Sequence, residues 1–244
     1  MSTLQQLNAF SSSNGFSKVN VLIGPNNSGK SRFLKELHPS LLYSSQSIDL
    51  NEAHKPQPIV DYKGLWDGSV TTFANALHWN STNEKYVERL KELIQNLDHV
   101  GTTVKENKVH VYVSIGVKQF SQSELSDGTL RAMLLTWLLY GSEEQLKCLA
   151  IDDIEVGLHP AWQQVIGRWL QHSTRFEQCF ISTHSPDLLD TFTEGFKRGN
   201  VKIFVLDNGA AKQLDYNDLA DDLVDWELGD LYRASDPSIG GWPW

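Results

Sequence analysis

The stretch Gly24-Pro25-Asn26-Asn27-Ser28-Gly29-Lys30-Ser31 follows the apolar run "VNVLI" and fits G-x-x-x-x-G-K-[ST]. This spacing demands a strand, a tight turn rich in backbone donors, and a helix. Successive loop N–H groups cradle phosphate oxygens, and the helix beginning near Lys30 adds the positive end of its dipole. Gly24 and Gly29 permit backbone angles and a close approach that a Cβ would block. Lys30 is placed to reach β- and γ-phosphates, and the Ser31 hydroxyl to ligate Mg²⁺. Asn26, Asn27, Ser28 and Arg32 complete the candidate nucleotide-binding set, with ATP as the expected ligand.

Strand and helix patterns alternate along the rest of the chain. "LKCLAID" and "FEQCFIST" read as buried strands, "DGTLRAMLLTWLLYG" and "HPAWQQVIGRWLQHS" as helices. Such alternation predicts an α/β fold with a mostly parallel sheet covered by helices. "KSRFLKELH" reads as the helix leaving the loop, stopped by Pro39. In "KYVERLKELIQNL", Tyr86, Leu90, Leu93, Ile94 and Leu97 share one face at helical spacing. In "NKVHVYVSIGV", Val109, Val111, Val113 and Ile115 alternate with His110, Tyr112 and Ser114, as in a half-exposed hairpin strand. Residues 40–118 therefore read as an inserted helix-plus-hairpin lobe within a single domain spanning 1–244.

A phosphate loop needs a carboxylate at the end of a neighbouring strand. "CLAIDDIE" supplies Asp152 as the Mg²⁺-linked acid and Asp153 where a carboxylate can polarise attacking water. "ELSDGTLRAM" sets Ser126 and Gly128 at a helix start, where a hydroxyl and backbone donors favour a second set of phosphates. "FISTHSPDLL" puts His184 just beyond a buried strand, within reach of a γ-phosphate.

In this order, the phosphate loop, "LSDG", Asp-Asp-x-Glu with "GLHP", and "THSP" resemble the ABC-type ATPases of the RecF/OLD/SMC-like group. The likeness is strongest to their compact forms without coiled-coil arms, and it covers residues 18–38 and 73–235. It implies a P-loop NTPase fold and a homodimer sandwiching two ATP molecules. Ser126 and Gly128 of one copy would close over nucleotide held by Gly24, Gly29, Lys30 and Ser31 of the other. It assigns Asp152 to Mg²⁺, Asp153 to the catalytic base, His184 to the switch histidine, and His159 and Pro160 to a dimer-facing loop. The base position is normally Glu in this group, so Glu155 is a second candidate, and a slow or non-hydrolysing sensor is an alternative. The glutamine loop has only Gln46 and Gln57 as candidates, and the segment before the phosphate loop is short for adenine contacts. The implied function is an ATP-gated switch of a separate effector protein, a nuclease in antiphage defence being the class suggested.

Charge and composition separate the alternatives. A net charge of -9 and a pI near 5.3 weigh against direct action on DNA, although "KYVERLK" and "GFKRGN" are locally basic. A transporter subunit should carry "LSGGQ" where this chain has "LSDGT", and a nucleotide kinase leaves Ser126, Gly128 and His184 unused. No apolar run is long enough to span a bilayer, and the first residues lack a signal-peptide pattern, so the expectation is a cytoplasmic chain without a membrane partner. Cys148 and Cys179 read as buried thiols, Leu219 and Leu223 in "DYNDLADDLVDWELGD" as one face of a solvated helix, and Trp242 and Trp244 as a docking surface or a folded-back end.

Overall fold

The computed structural model describes residues 15–34, 59–60, 70–79, 84–106, 108–141, 145–208 and 210–239. Pro39, Gln46, Gln57, Trp242 and Trp244 lie outside the described residues.

Strand β1 (Val19–Ile23) is the centre of the main sheet and is buried along its whole length. Its two faces feed two cores: Val19, Val21 and Ile23 enter the larger, while Leu22 joins Phe33, Leu34, Phe180 and Phe204. Burial on both faces explains the near-continuous apolar run. Its one polar residue, Asn20, is satisfied: the Nδ2 donates to the Ser17 and Cys179 carbonyls, and Oδ1 accepts from the Ser17 amide at 3.0 Å. A helix, α1, starts at residue 30 directly after the loop and is described to residue 34.

Strand β2 (Ile59–Val60) pairs in parallel with β6 (Leu146–Ile151), which pairs in parallel with β7 (Phe176–Ser182). The order is completed by β1, β8 (Val201–Asp207) and β9 (Ala210–Gln213), giving β2-β6-β7-β1-β8-β9. Only β9 runs antiparallel, closing the hairpin with β8. The expected mostly parallel α/β sheet is present. Residues 59–60, although within 40–118, belong to this sheet and not to the second one.

The second sheet has three antiparallel strands, β3 (Leu97–Lys105), β4 (Lys108–Ile115) and β5 (Lys118–Ser121). Helices α2 (Val70–Trp79) and α3 (Glu84–Lys91) accompany it. The helix expected through residue 97 ends earlier. Asn96 takes a left-handed φ of 57° and turns the chain into β3, whose first residue is Leu97. Leu93, Ile94 and Leu97 stay buried, so their periodicity reports burial across a turn and not one continuous helix. Val100, Val111 and Val113 of this sheet share one apolar cluster with Leu149, Ile151 and Ile181 of the main sheet.

Helix α4 (Asp127–Tyr140) joins the two sheets and is buried on nearly every side from Leu130 to Leu139. Helix α5 (Pro160–His172) starts on a His159 cap. After β7 come α6 (Pro186–Asp190) and α7 (Thr193–Lys197); after β9 come α8 (Tyr216–Leu219) and α9 (Leu228–Arg233). The acid-rich stretch before α9 is not one helix: α8 is followed by a 3₁₀ turn, Asp222–Val224, and Leu219 and Leu223 pin both turns to the core. Cys148 and Cys179 are free and buried, and burial pushes the Cys148 thiol up to about 12. No helix among the described residues is long and apolar enough to cross a membrane.

Candidate nucleotide site

Because β6, β7 and β1 are adjacent and parallel, whatever follows their carboxyl ends is gathered at one edge of the sheet. The phosphate loop follows β1, Asp152 to Glu155 follow β6, and Thr183 and His184 follow β7.

Gly24 and Gly29 have φ of 145° and 102°, and Asn27 sits at 63°. A Cβ at Gly24 would collide with the Leu206 carbonyl oxygen of neighbouring β8, so only glycine fits between the strands. Lys30 is 6% exposed and curls back, its Nζ donating to the Gly24 and Pro25 carbonyls at 2.8 and 2.9 Å. Burial lowers its pKa, while Asp153, Asp152 and Glu155 oppose the shift electrostatically. Ser28 is buried, and its Oγ has no hydrogen-bond partner among the described residues. A buried, orphaned hydroxyl in a loop whose lysine curls back onto its own carbonyls fits an oxyanion site. Asn26, Asn27, Ser31 and Arg32 are exposed at the loop mouth.

Ser182, the last residue of β7, ties the carboxylates together. Its Oγ donates to Asp152 Oδ1 and accepts from the Asp153 amide at 2.7 Å; Asp153 Oδ1 lies 3.4 Å away. Asp153 itself takes a φ of 43°, uncommon for a residue with a side chain. No other donor among the described residues reaches the Asp152 or Asp153 carboxylate.

Glu155 is different. Its Oε2 accepts from Thr183 Oγ1 at 2.7 Å and its Oε1 from the His184 amide at 2.8 Å. Burial raises its pKa; the two donors pull the other way, and Asp153 adds to the rise. Both oxygens are thus committed to holding the loop that carries His184. The same loop is fastened from its other side: Ser185 Oγ donates to Gln163 Oε1, and Gln163 Nε2 donates to the Leu158 carbonyl at 2.9 Å.

His184 is half-buried, and its pKa is lowered first by that burial and then by the Lys30 charge, against the pull of Asp153 and Asp152. A lowered pKa keeps the imidazole neutral to lower pH. Its NMR titration midpoint should therefore fall below 6.5, and Lys30→Ala should move it upward by removing a cation. A midpoint above 6.5, or no response to Lys30→Ala, would contradict this electrostatic picture.

Ser126 caps α4, its Oγ accepting from the Thr129 amide at 3.2 Å and lying 2.9 Å from Thr129 Oγ1. It is exposed, and no hydrogen bond among the described residues joins it to residues 24–32. Gly128 packs against the loop after the acids, where a Cβ would collide with the Gly157 carbonyl oxygen.

Arg131 stands behind the two aspartates, and the sequence motifs do not mark it. It is 1% exposed, and its Nη2 donates to the Asp152 and Asp153 carbonyls at 3.2 and 2.9 Å. Its sequence signal is the one charge in the apolar run from Leu130 to Tyr140, which must find acceptors if it is buried. Through Arg131 and Gly128, one helix start is attached to the turn that presents both aspartates.

Residues 69–190 match the family described as "AAA domain, putative AbiEii toxin, Type IV TA system". This match covers half of the chain. The chain belongs to that AAA-domain family. The matched region holds Ser126, the aspartates and His184, while the phosphate loop precedes it. The "Retron Vc95 probable ATPase" of Vibrio cholerae is 30% identical over 120 residues, covering 43% of this chain and 23% of that protein. The chain thus matches less than a quarter of that relative's length. Among solved structures, an Smc head bound to the C-terminal winged-helix domain of ScpA aligns with TM-score 0.56 and 11% identity, over 84% of this chain and 93% of that one. The SMC head of Thermotoga maritima aligns at TM-score 0.48 and 14% identity, over 82% and 90%. The first of these likenesses shows the fold, that of an Smc head.

Proposed function

We propose that this AAA-domain protein binds Mg²⁺–ATP at residues 24–32, hydrolyses it at a site completed by a second copy, and uses the cycle to switch a separate protein. The observation carrying the reading is the convergence of Lys30, Asp152, Asp153 and His184 beyond the carboxyl ends of the adjacent parallel strands β1, β6 and β7, at the edge where the phosphate loop lies. The orphaned Ser28 hydroxyl and the Gly24 cradle suit a phosphate chain. Ser31 and Asp152 offer an alcohol and a carboxylate, the hard oxygen donors that Mg²⁺ takes alongside phosphates. When bound, that ion would neutralise charge developing on the β- and γ-phosphate oxygens.

The residues divide the work. Lys30 exchanges its two carbonyl partners for phosphate. Asp153, whose carboxylate is the less committed of the pair with Glu155, accepts the proton of attacking water. Glu155 positions the His184 amide and thereby the imidazole. Ser126, exposed and without a hydrogen bond to residues 24–32 among the described residues, and Gly128 two residues on, suit the nucleotide of a second copy. The retron relative is named a probable ATPase, which supports ATP turnover here; the output proposed for that engine is control of a separate effector, with antiphage defence as the setting and a nuclease as the class of effector. The net charge of -9 weighs against DNA as the direct ligand.

The experiment is phosphate release per protomer against protein concentration. The specific rate should rise with concentration, and Ser126→Arg should lower it tenfold or more while ATP binding by each protomer persists. A rate independent of concentration and indifferent to Ser126→Arg would mean a monomeric site.

A further inference from the structure

The segment between Lys212 and Arg233 contains no Lys or Arg, yet residues 215–230 hold seven of the chain's 30 acidic residues. Its core face is complete: Leu219, Leu223 and Leu228 are each 1% exposed or less. Val224 and Trp226 nevertheless point outward, 76% and 50% exposed. Backbone hydrogen bonds from the Asp225 and Trp226 amides to the Asp222 carbonyl, at 3.3 and 3.1 Å, wind this stretch into a tight turn. Two exposed apolar side chains thus stand on one tight turn, with Asp221, Asp222, Asp225 and Glu227 flanking them in sequence.

We infer that this turn is a docking face for a Lys/Arg-rich segment of another protein that lays an apolar side chain against Trp226 and Val224. Charge complementarity selects the occupant. Nucleic acid and anionic lipid are repelled by the carboxylates. An uncharged apolar partner would strip water from those carboxylates and give nothing back. A cationic partner with an apolar anchor satisfies both features, and an exposed tryptophan is the residue type that most often dominates such contacts.

The face is also fixed to the nucleotide edge. The Leu228 amide donates to Thr193 Oγ1 at 3.0 Å, and Gly229 lies so close to Pro186 and Asp190 that a Cβ would collide with both. Arg233 spans Asp187 and Asp190, at 2.9 Å each. Pro186 is two residues after His184, so the docked segment would sit on the helix that follows the switch loop. That the partner is the protein being switched rests on the proposed function; the docking face itself does not.

The probe is a fluorescent amphipathic peptide of about 15 Lys and Leu residues, with Kd read by anisotropy at about 150 mM salt, where surface attraction is partly screened. Trp226→Ala with Val224→Ala should weaken binding tenfold or more, and so should Asp222→Asn with Asp225→Asn. Glu84→Gln with Glu88→Gln, on exposed positions of α3, should change Kd less than twofold. Equal weakening by that control pair, or indifference to the Trp226 pair, would overturn the inference. So would a chain that binds the peptide only after residues 240–244 are removed, because its own end would then be the occupant. Phosphate release measured on the same samples separates the two readings: turnover without peptide binding removes the docking face alone, and peptide binding without turnover removes the ATPase reading alone.

Discussion

Asp153→Asn should lower ATP turnover by about 10²–10⁴-fold, the range that a positioned general base supplies, while leaving ATP binding and thermal stability near their wild-type values. The separation follows from which atoms hold the turn. The Asp153 amide, not its carboxylate, makes the short bond to Ser182 Oγ at 2.7 Å, and its carbonyl is held by Arg131 at 2.9 Å. The carboxylate has only a long contact of 3.4 Å to Ser182. Asparagine keeps the backbone bonds and removes the basic oxygen. Asp153→Glu extends the same carboxylate by one methylene and should raise turnover.

Glu155→Gln should behave in another way. One of its oxygens becomes an NH₂ group facing a donor, either the His184 amide or Thr183 Oγ1, and leaves that donor unsatisfied at a cost of about 1–3 kcal/mol. The expected signature is lost stability and a displaced His184 resonance, with a smaller loss of turnover than Asp153→Asn. Phosphate release and thermal melts of the three variants decide the matter. If Glu155→Gln abolishes turnover with an unchanged melt while Asp153→Asn is silent, Glu155 is the base and Asp153 the positioning residue.

The parts of this site that are legible in sequence are those set by local geometry. A phosphate loop encodes its own turn through Gly24 and Gly29, and a run of apolar residues ending in Asp152 and Asp153 announces the carboxyl end of a buried strand. The mostly parallel sheet follows from the same alternation of elements. What sequence does not resolve depends on contacts between distant residues. Sequence offers Glu155 and Asp153 alike as candidate bases, and it does not reveal that Thr183 and His184, 28 and 29 residues away, occupy both oxygens of Glu155. The start of β3 is hidden because Leu93, Ile94 and Leu97 continue the helical spacing of Tyr86 and Leu90, and the turn at Asn96 needs a left-handed residue that spacing does not reveal. Arg131 escapes notice because the apolar character of its helix dominates the pattern, although a charge there is itself the clue.

That charge carries the other large effect. Arg131→Met should destabilise the protein by about 2–5 kcal/mol, from two buried carbonyls losing a charged donor and from imperfect refilling of the guanidinium space. For a chain of this size that corresponds to a drop of roughly 5–15 °C in Tm. The loss should fall at the turn bearing Asp152 and Asp153, because their carbonyls are the acceptors. Turnover measured well below the new Tm should therefore drop too, with kcat affected more than KM, since the phosphate loop on β1 is not touched. Arg131→Lys retains a donor without the planar fork and should recover part of the stability and less of the rate. Gly128→Ala tests the same attachment without removing a charge: its methyl group must push the start of α4 away from the Gly157 carbonyl, in the direction that moves Ser126 relative to the aspartates. It should lower turnover with a smaller Tm change than Arg131→Met. A Tm within about 2 °C of wild type for Arg131→Met, together with full turnover in both variants, would show that the aspartate turn stands without α4. Ser126 would then have no built-in route to the acids of its own chain.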